Sequence, residues 1–487
     1  MNSFDTGDQK ISAPLGESEP AGSNFLSRLG RWWGRKGDGE AAPAAGKDAE
    51  PAPLPARVVR RQREQLRLCF DARLTDGAAN AAAQAWQAEY EAAGEGMRRG
   101  MLAVLAEVAN SSSAEDGVPA DSDKGEKGDK PVKSARASSA LTQALSNARI
   151  RFFKRLAALH GKSDQSACGL HFLIQLRADM LRWQRRMPGL RVLDDDLEAL
   201  FSNWFDVGLL ELQPITWDSP ASLLEKLIRY EAVHEISSWT DLRNRLDSDR
   251  RCYAFFHPRI PREPLIFVEV AFVPEMAANV QALLDEAAPL EDLRRVKWAI
   301  FYSISNTQAG LRGVSFGNFL LKRVIDEVQR EFPKVKQFAT LSPIPGFADW
   351  LRKQDGAAVA RVLGEKRLVR WTDKQGPAPA DGAAWLEALP AEASDAMVRD
   401  TALTLAAHYL VRERSQSLPA DPVARFHLGN GACVERLNWG ADLSRKGRAQ
   451  ACGMMVNYLY VPEALDDNLA RLGEGNPRVS RAVGKLL

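Results

Sequence analysis

The chain has 487 residues, 65 of them basic and 63 acidic, with a formal net charge of +2. That length exceeds one ordinary core and predicts two or three domains, and the near-neutral balance removes any whole-chain case for nucleic acid as a partner. Apolar residues at 45% and charged residues at 26% are the proportions of a soluble globular protein, and no apolar run is long enough to cross a bilayer.

Residues 1 to 55 are rich in Gly, Ala, Pro, Ser and charge, and are expected to form a disordered tail. Within it, residues 25–36 (FLSRLGRWWGRK) have the look of a basic amphipathic segment, although two glycines oppose a stable helix. Asp5, Asp8, Glu17 and Glu19 argue against a transit peptide. Residues 56 to 245 read as a helical domain. Stretches such as 79–107 and 138–160 are rich in strong helix formers, and a low-complexity insert at about 110–137 interrupts them. Asp194, Asp195 and Asp196 mark one helix start. Ser219-Pro220 marks another, as a cap followed by proline at the first helical position. Trp204, Phe205, Trp217 and Trp239 are expected in the core or between helices.

From about 246 to 487 the texture is that of an α/β or α+β catalytic domain. Strands are expected at 252–257, 265–272, 296–305, 337–342 and 455–460, and helices at 275–287 and 318–332. A crossover helix at 318–332 implies a parallel pair of strands around it. Residues 355–396 are expected to be a peripheral excursion. Five cysteines (Cys69, Cys168, Cys252, Cys433 and Cys452) are far apart, with no CxxC. They suit a reducing cytoplasm rather than a disulfide framework or a zinc site. His160, His171, His234 and His257 show no metal-ligand spacing, and His408 belongs to a helical run.

Two segments carry chemistry. In Arg312-Gly313-Val314-Ser315-Phe316-Gly317-Asn318, a strand passes through a glycine-containing turn into a helix N-terminus. Free N–H groups and the helix dipole make such a place suited to an anion. It is neither a Walker loop nor a Rossmann fingerprint. It resembles the coenzyme A pyrophosphate loop of GNAT acyltransferases, with Arg312 in the first position, Gly317 in the last and Ser315 in place of the middle glycine. The second segment is FATLSPIPGFADW (338–350). A β-type run ends on Ser342, and Pro343 and Pro345 stiffen the exit. On its own, a serine before proline is ordinarily a turn residue. His427, between Phe426 and Leu428, would lie opposite both neighbours on a strand, and a lone histidine of that kind is ordinarily structural.

Together, YEAVHEISSWTDL (230–242), CYAFFHPRIPREPLIFVEVAF (252–272), YSISNTQAGLRGVSFGNFLLKRV (302–324), LSPIPGF (341–347) and DPVARFHLGNGACVERLNWGADLSRKG (421–447) resemble malonyl-CoA decarboxylases over about 190–465. The resemblance implies a multidomain α plus α/β protein, with an all-helical N-terminal domain followed by a GNAT-like acyl-CoA-binding α/β domain. It implies conversion of malonyl-CoA to acetyl-CoA and carbon dioxide without biotin, metal or nicotinamide. By position, Ser342 and His427 match the family's catalytic serine and histidine, Tyr460 its active-site tyrosine, and Arg312 to Asn318 its coenzyme A loop. A homo-oligomer built through the helical domain and a cytoplasmic location are expected, with neither nucleic acid nor stable membrane insertion. Two other readings fit the same fold: an N-acyltransferase acting on an amine, and a non-catalytic malonyl-CoA sensor.

Overall fold

The computed structural model describes residues 54–71, 74–111, 130–159, 168–314, 316, 320–415 and 417–487. The expected tail, its basic segment and most of the 110–137 insert therefore lie outside the described residues, as do His160, Ser315, Gly317 and Asn318.

Six helices come first: α1 (Ala56–Phe70), α2 (Asp76–Ala92), α3 (Glu95–Asn110), α4 (Lys130–Ala158), α5 (Gly169–Trp183) and α6 (Leu190–Trp204). Leu66, Trp86, Leu102, Phe152, Phe172 and Phe201 are wholly shielded where they meet. Burial on this scale, at about 25 cal/mol per Å² of apolar surface, is what stabilises helices of ordinary length. The run at 79–107 is two helices, because Gly94 caps α3 in an extended conformation. Asp194 to Asp196 lie inside α6 rather than before it, since Arg177 and Arg149 pair with Asp194 and Asp196. Their charge serves as ion-pair partner, not as cap.

Strand β1 (Glu211–Ile215) follows at once and pairs antiparallel with β2 (Arg250–His257). The helical reading of 206–245 thus misses the edge strand of the sheet, whose polar ELQPI carries no alternating apolar signal. Helices α7 (Ala221–Tyr230) and α8 (Trp239–Arg245) separate these strands. Pro220 is itself the residue before α7, one position earlier than expected, and Ser219 accepts from Thr216 N instead. Trp217 and Trp239 are 43% and 45% exposed and meet each other edge to face, so they are surface residues, not core.

The sheet continues through β3 (Ile260–Val273) and β4 (Trp298–Asn306), both antiparallel to their predecessors, with the short α9 (Val280–Leu284) in place of the longer helix expected at 275–287. Helix α10 (Leu320–Glu331) crosses over to β5 (Gln337–Thr340), which is parallel to β4, as expected. The chain then gives β6 (Ser342–Pro343), α11 (Phe347–Leu351), α12 (Gly356–Gln375, broken at Gly364), α13 (Gly382–Glu387) and α14 (Ala396–Val411). A two-residue pair β7 (Arg414–Ser415) and β8 (Leu418–Pro419) precedes α15 (Pro422–Gly429), β9 (Cys433–Asn438), α16 (Arg445–Ala451), β10 (Met455–Tyr460), α17 (Leu465–Gly473) and α18 (Arg481–Gly484). The sheet order is β1-β2-β3-β4-β5-β10-β6, with β9 also on β10. The expected order of a helical region followed by an α/β sheet region holds. One sheet face, with Phe301, Phe338 and Tyr460, shares the large core that also contains the helical region; the other carries Phe267, Ile300, Tyr302 and Ala339.

Candidate active site

Two parallel neighbours set the position of the site. Strand β4 ends at Asn306 and leads to the 312–318 loop, and β5 ends at Thr340 and leads to Ser342. Both segments with chemical promise therefore leave the same edge of the sheet, where open α/β sheets commonly build their sites. Thr340 and Ser342, two residues apart in an extended run, point to one face. The Ser342 Oγ hydroxyl donates to Thr340 Oγ1 at 2.8 Å, and Thr340 Oγ1 also accepts from the Tyr458 backbone N–H at 3.1 Å.

His427 does not lie on a strand. It belongs to α15, which Asp421 caps by accepting from Val423 N and Ala424 N, with Pro422 opening the first turn. The cap-then-proline signal was present at 421–422, and reading it would have turned the strand into a helix. On that helix His427 faces inward and is 3% exposed. Its Nε2 lies 3.0 Å from Ser342 Oγ and its Nδ1 lies 2.8 Å from the Tyr460 hydroxyl. With the Ser342 proton on Thr340, Nε2 carries the imidazole proton and Nδ1 accepts from Tyr460. The expected trio of Ser342, His427 and Tyr460 is thus a single hydrogen-bonded chain.

Burial sets the charge state. It pushes His427 down to about 3, so the imidazole is neutral near pH 7, and it raises the Tyr460 hydroxyl well above its usual value. Among the described residues no carboxylate bonds to His427 to offset this. The Tyr458 ring stacks on the imidazole with centroids 4.6 Å apart, and its own hydroxyl is buried without a partner among the described residues. A stacked ring with an idle hydroxyl holds the imidazole by its face.

A second lock fixes the turn after Ser342. Asp421 is wholly buried and also accepts from Gly346 N at 3.3 Å. Burial pushes its carboxyl up to about 6 against the pull of three backbone N–H groups and the Tyr409 hydroxyl. A Cβ at Gly346 would stand 2.1 Å from that hydroxyl, so only glycine fits there. One carboxylate therefore ties the SPIPG turn to the helix that carries His427.

Of the loop residues, Arg312 is exposed, Gly313 has φ +84°, and Val314 and Phe316 are buried. Ser315, Gly317 and Asn318 lie outside the described residues. His234, His257 and His171 are not drawn into the site, and among the described residues no group of three or more His, Cys, Asp or Glu stands close enough to hold a metal ion. Thr340, Tyr458 and Asp421 escaped the sequence reading. The period of two in Thr340/Ser342 and Tyr458/Tyr460 was the available signal for the first two.

Residues 208–487 match the family model for the malonyl-CoA decarboxylase C-terminal domain, and residues 123–205 match that for its N-terminal domain. The chain belongs to the malonyl-CoA decarboxylase family. It is 37% identical over 374 residues to the mitochondrial malonyl-CoA decarboxylase of Mus musculus, covering 72% of this chain and 75% of that protein. The crystal structure of malonyl-CoA decarboxylase from Cupriavidus metallidurans is 75% identical and covers 88% of this chain and all of its own, with a TM-score of 0.77. That from Rhodopseudomonas palustris is 37% identical and covers 89% of this chain and all of its own, with a TM-score of 0.68. The matches to the family's N- and C-terminal domains meet at 205–208, where α6 gives way to the segment leading into β1.

Proposed function

We propose that Ser342, His427 and Tyr460 carry the decarboxylation of malonyl-CoA to acetyl-CoA and carbon dioxide in this chain. The observation that carries this reading is the unbroken chain of hydrogen bonds through His427, 3.0 Å to Ser342 and 2.8 Å to Tyr460, at a sheet edge shared with the 312–318 loop. The reaction consumes one proton for each malonyl carboxylate lost. The electron pair of the breaking C–C bond moves into the thioester, and the enolate oxygen needs preorganised donors. Ser342 Oγ–H, free to turn from Thr340, is the donor. The carbon then needs a proton.

A neutral imidazole is a poor source, but the substrate changes its state. A carboxylate brought within a few ångströms favours the charged imidazole. His427 therefore binds a proton together with malonyl-CoA, and Nδ1–H then donates to the Tyr460 hydroxyl, which burial keeps protonated. As carbon dioxide leaves, Nε2 gives its proton to the carbon and the imidazole returns to neutral. A dry site also weakens the hold of water on the departing carboxylate. No biotin, metal or nicotinamide enters, because the thioester is the electron sink. The loop at 312–318 takes the coenzyme A pyrophosphate. Five unpaired cysteines suit a cytoplasmic location. A homo-oligomer joined through the helical region is the expected assembly.

The test is to incubate purified protein with malonyl-CoA alone and follow acetyl-CoA by mass. Turnover of roughly one per second or faster, the ordinary enzyme range, supports the reading. Tight binding without product would make the chain a sensor, and transfer of the acetyl group of acetyl-CoA to an added amine, with no carbon dioxide from malonyl-CoA, would make it an acyltransferase.

A further inference from the structure

Arg177 belongs to α5, in the helical region, yet its contacts run to the loop beyond β4. It is wholly buried. Its Nη1 donates to the carbonyls of both Gly310 and Arg312 at 2.8 Å, its Nε to Asp194 at 2.7 Å, and its Nη2 to Glu198 at 2.6 Å. The loop is pressed onto α5 as well. A Cβ at Gly310 would lie 1.8 Å from the Ile174 carbonyl oxygen, and one at Gly313 would lie 3.4 Å from the Glu198 carboxylate. Further on, the Val207 N–H holds the Phe316 carbonyl at 3.1 Å. The start of the loop is thus gripped from the helical region at three carbonyls, those of 310, 312 and 316.

We infer that Arg177 is a positioning residue for coenzyme A binding, acting through the Gly310 and Arg312 carbonyls at the start of the 312–318 loop. The inference rests on reading that loop as the pyrophosphate site. In a trans peptide the N–H points opposite the C=O, so holding the Arg312 carbonyl toward Arg177 turns the Gly313 N–H away from the helical region. Two carbonyl dipoles are drawn inward at the same time, away from a site meant for an anion. The effect is geometric rather than electrostatic. Asp194 and Glu198 already pair with the guanidinium, so little positive field remains for a phosphate. Only the planar fork of arginine reaches two carbonyls and two carboxylates together. The helical region thereby becomes part of the substrate site without touching substrate.

The experiment compares malonyl-CoA with malonyl-pantetheine, which lacks the pyrophosphate and nucleotide. Arg177→Lys keeps the charge and loses the fork. It should raise KM for malonyl-CoA roughly tenfold, the scale of a lost charge-assisted hydrogen bond, with kcat little changed. It should leave kcat/KM for malonyl-pantetheine unaltered. Equal loss with both substrates, or no loss with either, would overturn the proposal. Should Arg177→Lys fail to fold, Glu198→Gln decides, because Glu198 is partly exposed and holds the same guanidinium; the same selective rise, smaller in size, is expected, and its absence counts against the proposal. Wild-type protein that does not distinguish the two substrates would instead bring down the pyrophosphate reading of the loop.

Discussion

The two faces of the sheet bury polar groups in opposite ways. On one face Ser342, His427 and Tyr460 form an uncharged chain, with each group bonded to the next. On the other, Arg245 is held by Asp241 and Glu269, and by the carbonyls of His234 and Glu235. Beside it, Glu231 accepts from Ser303, Ser305 and the N–H groups of Val233 and His234. Burial raises Glu269 even against Arg245, while Asp241 and Glu269 together hold Arg245 charged. The charges of this cluster are bonded to one another and to backbone, while the Tyr302 hydroxyl and His234 Nε2 beside them are buried without a partner among the described residues. The neutral chain has a different property. Among the described residues its imidazole has no counter-ion, and on the proposed mechanism the substrate carboxylate supplies one. The contrast separates a cluster that fastens the 231–245 segment to strands β3 and β4 from a chain that, on the proposed mechanism, changes its charge once per turnover.

Breaking the charged side should have the largest effect. Arg245→Ala leaves Asp241 and Glu269 buried without a cation, and the expected loss is about 3–5 kcal/mol of stability, read by denaturant unfolding. A loss below about 1 kcal/mol would mean that water reaches the cluster and that the two faces differ less than drawn. Breaking the neutral side should remove activity. Ser342→Ala and His427→Ala should each lower kcat about a hundredfold or more, and Ser342→Ala, which deletes a single oxygen, should keep an unfolding midpoint close to wild type. Two folded variants turning over at the wild-type rate would sink the assigned roles. A subtler break is Gly346→Ala, which displaces the Tyr409 hydroxyl and with it the Asp421 link between the turn and α15. A fall of roughly ten- to a hundredfold in kcat is expected, since small misplacements of reacting groups are costly. The smallest effect sharpens the comparison. Tyr458→Phe removes a hydroxyl that has no partner among the described residues and keeps the stacked ring, so activity and stability should stay within about 0.5 kcal/mol of wild type. A tenfold loss of kcat would show that this hydroxyl acts on the substrate.

Much of this arrangement was legible in the amino-acid sequence. Strands β2 to β5 and β10 announce themselves as apolar runs, and the parallel β4–β5 pair follows from the crossover helix between them. Ser342, His427 and Tyr460 stand out only through the family resemblance, not through any local pattern of their own, and they do meet in space. What escaped was mostly polar. Strand β1 is half solvent-facing and shows no alternation, so it passed for the end of the helical region. Phe426 and Leu428 on either side of His427 imitate strand alternation, whereas Asp421-Pro422 marks the start of the helix that carries it. Asp194 and Asp196 looked like caps because their buried arginine partners come from other helices. Trp217 and Trp239 looked like core because size was taken for burial. Contacts between residues far apart in sequence, such as Arg177 with Arg312, leave no local pattern to read.

The most direct measurement is the charge of His427 itself. The protein would be labelled with ¹⁵N-imidazole histidine, and His427→Gln would assign the resonance. The account predicts a neutral ring from pH 5 to 8 in the free protein, in line with a value pushed down to about 3. It predicts an imidazolium on saturation with a malonyl-CoA analogue that cannot lose carbon dioxide. A ring that titrates near 6.5 in the free protein, or one that stays neutral with the analogue bound, would contradict it.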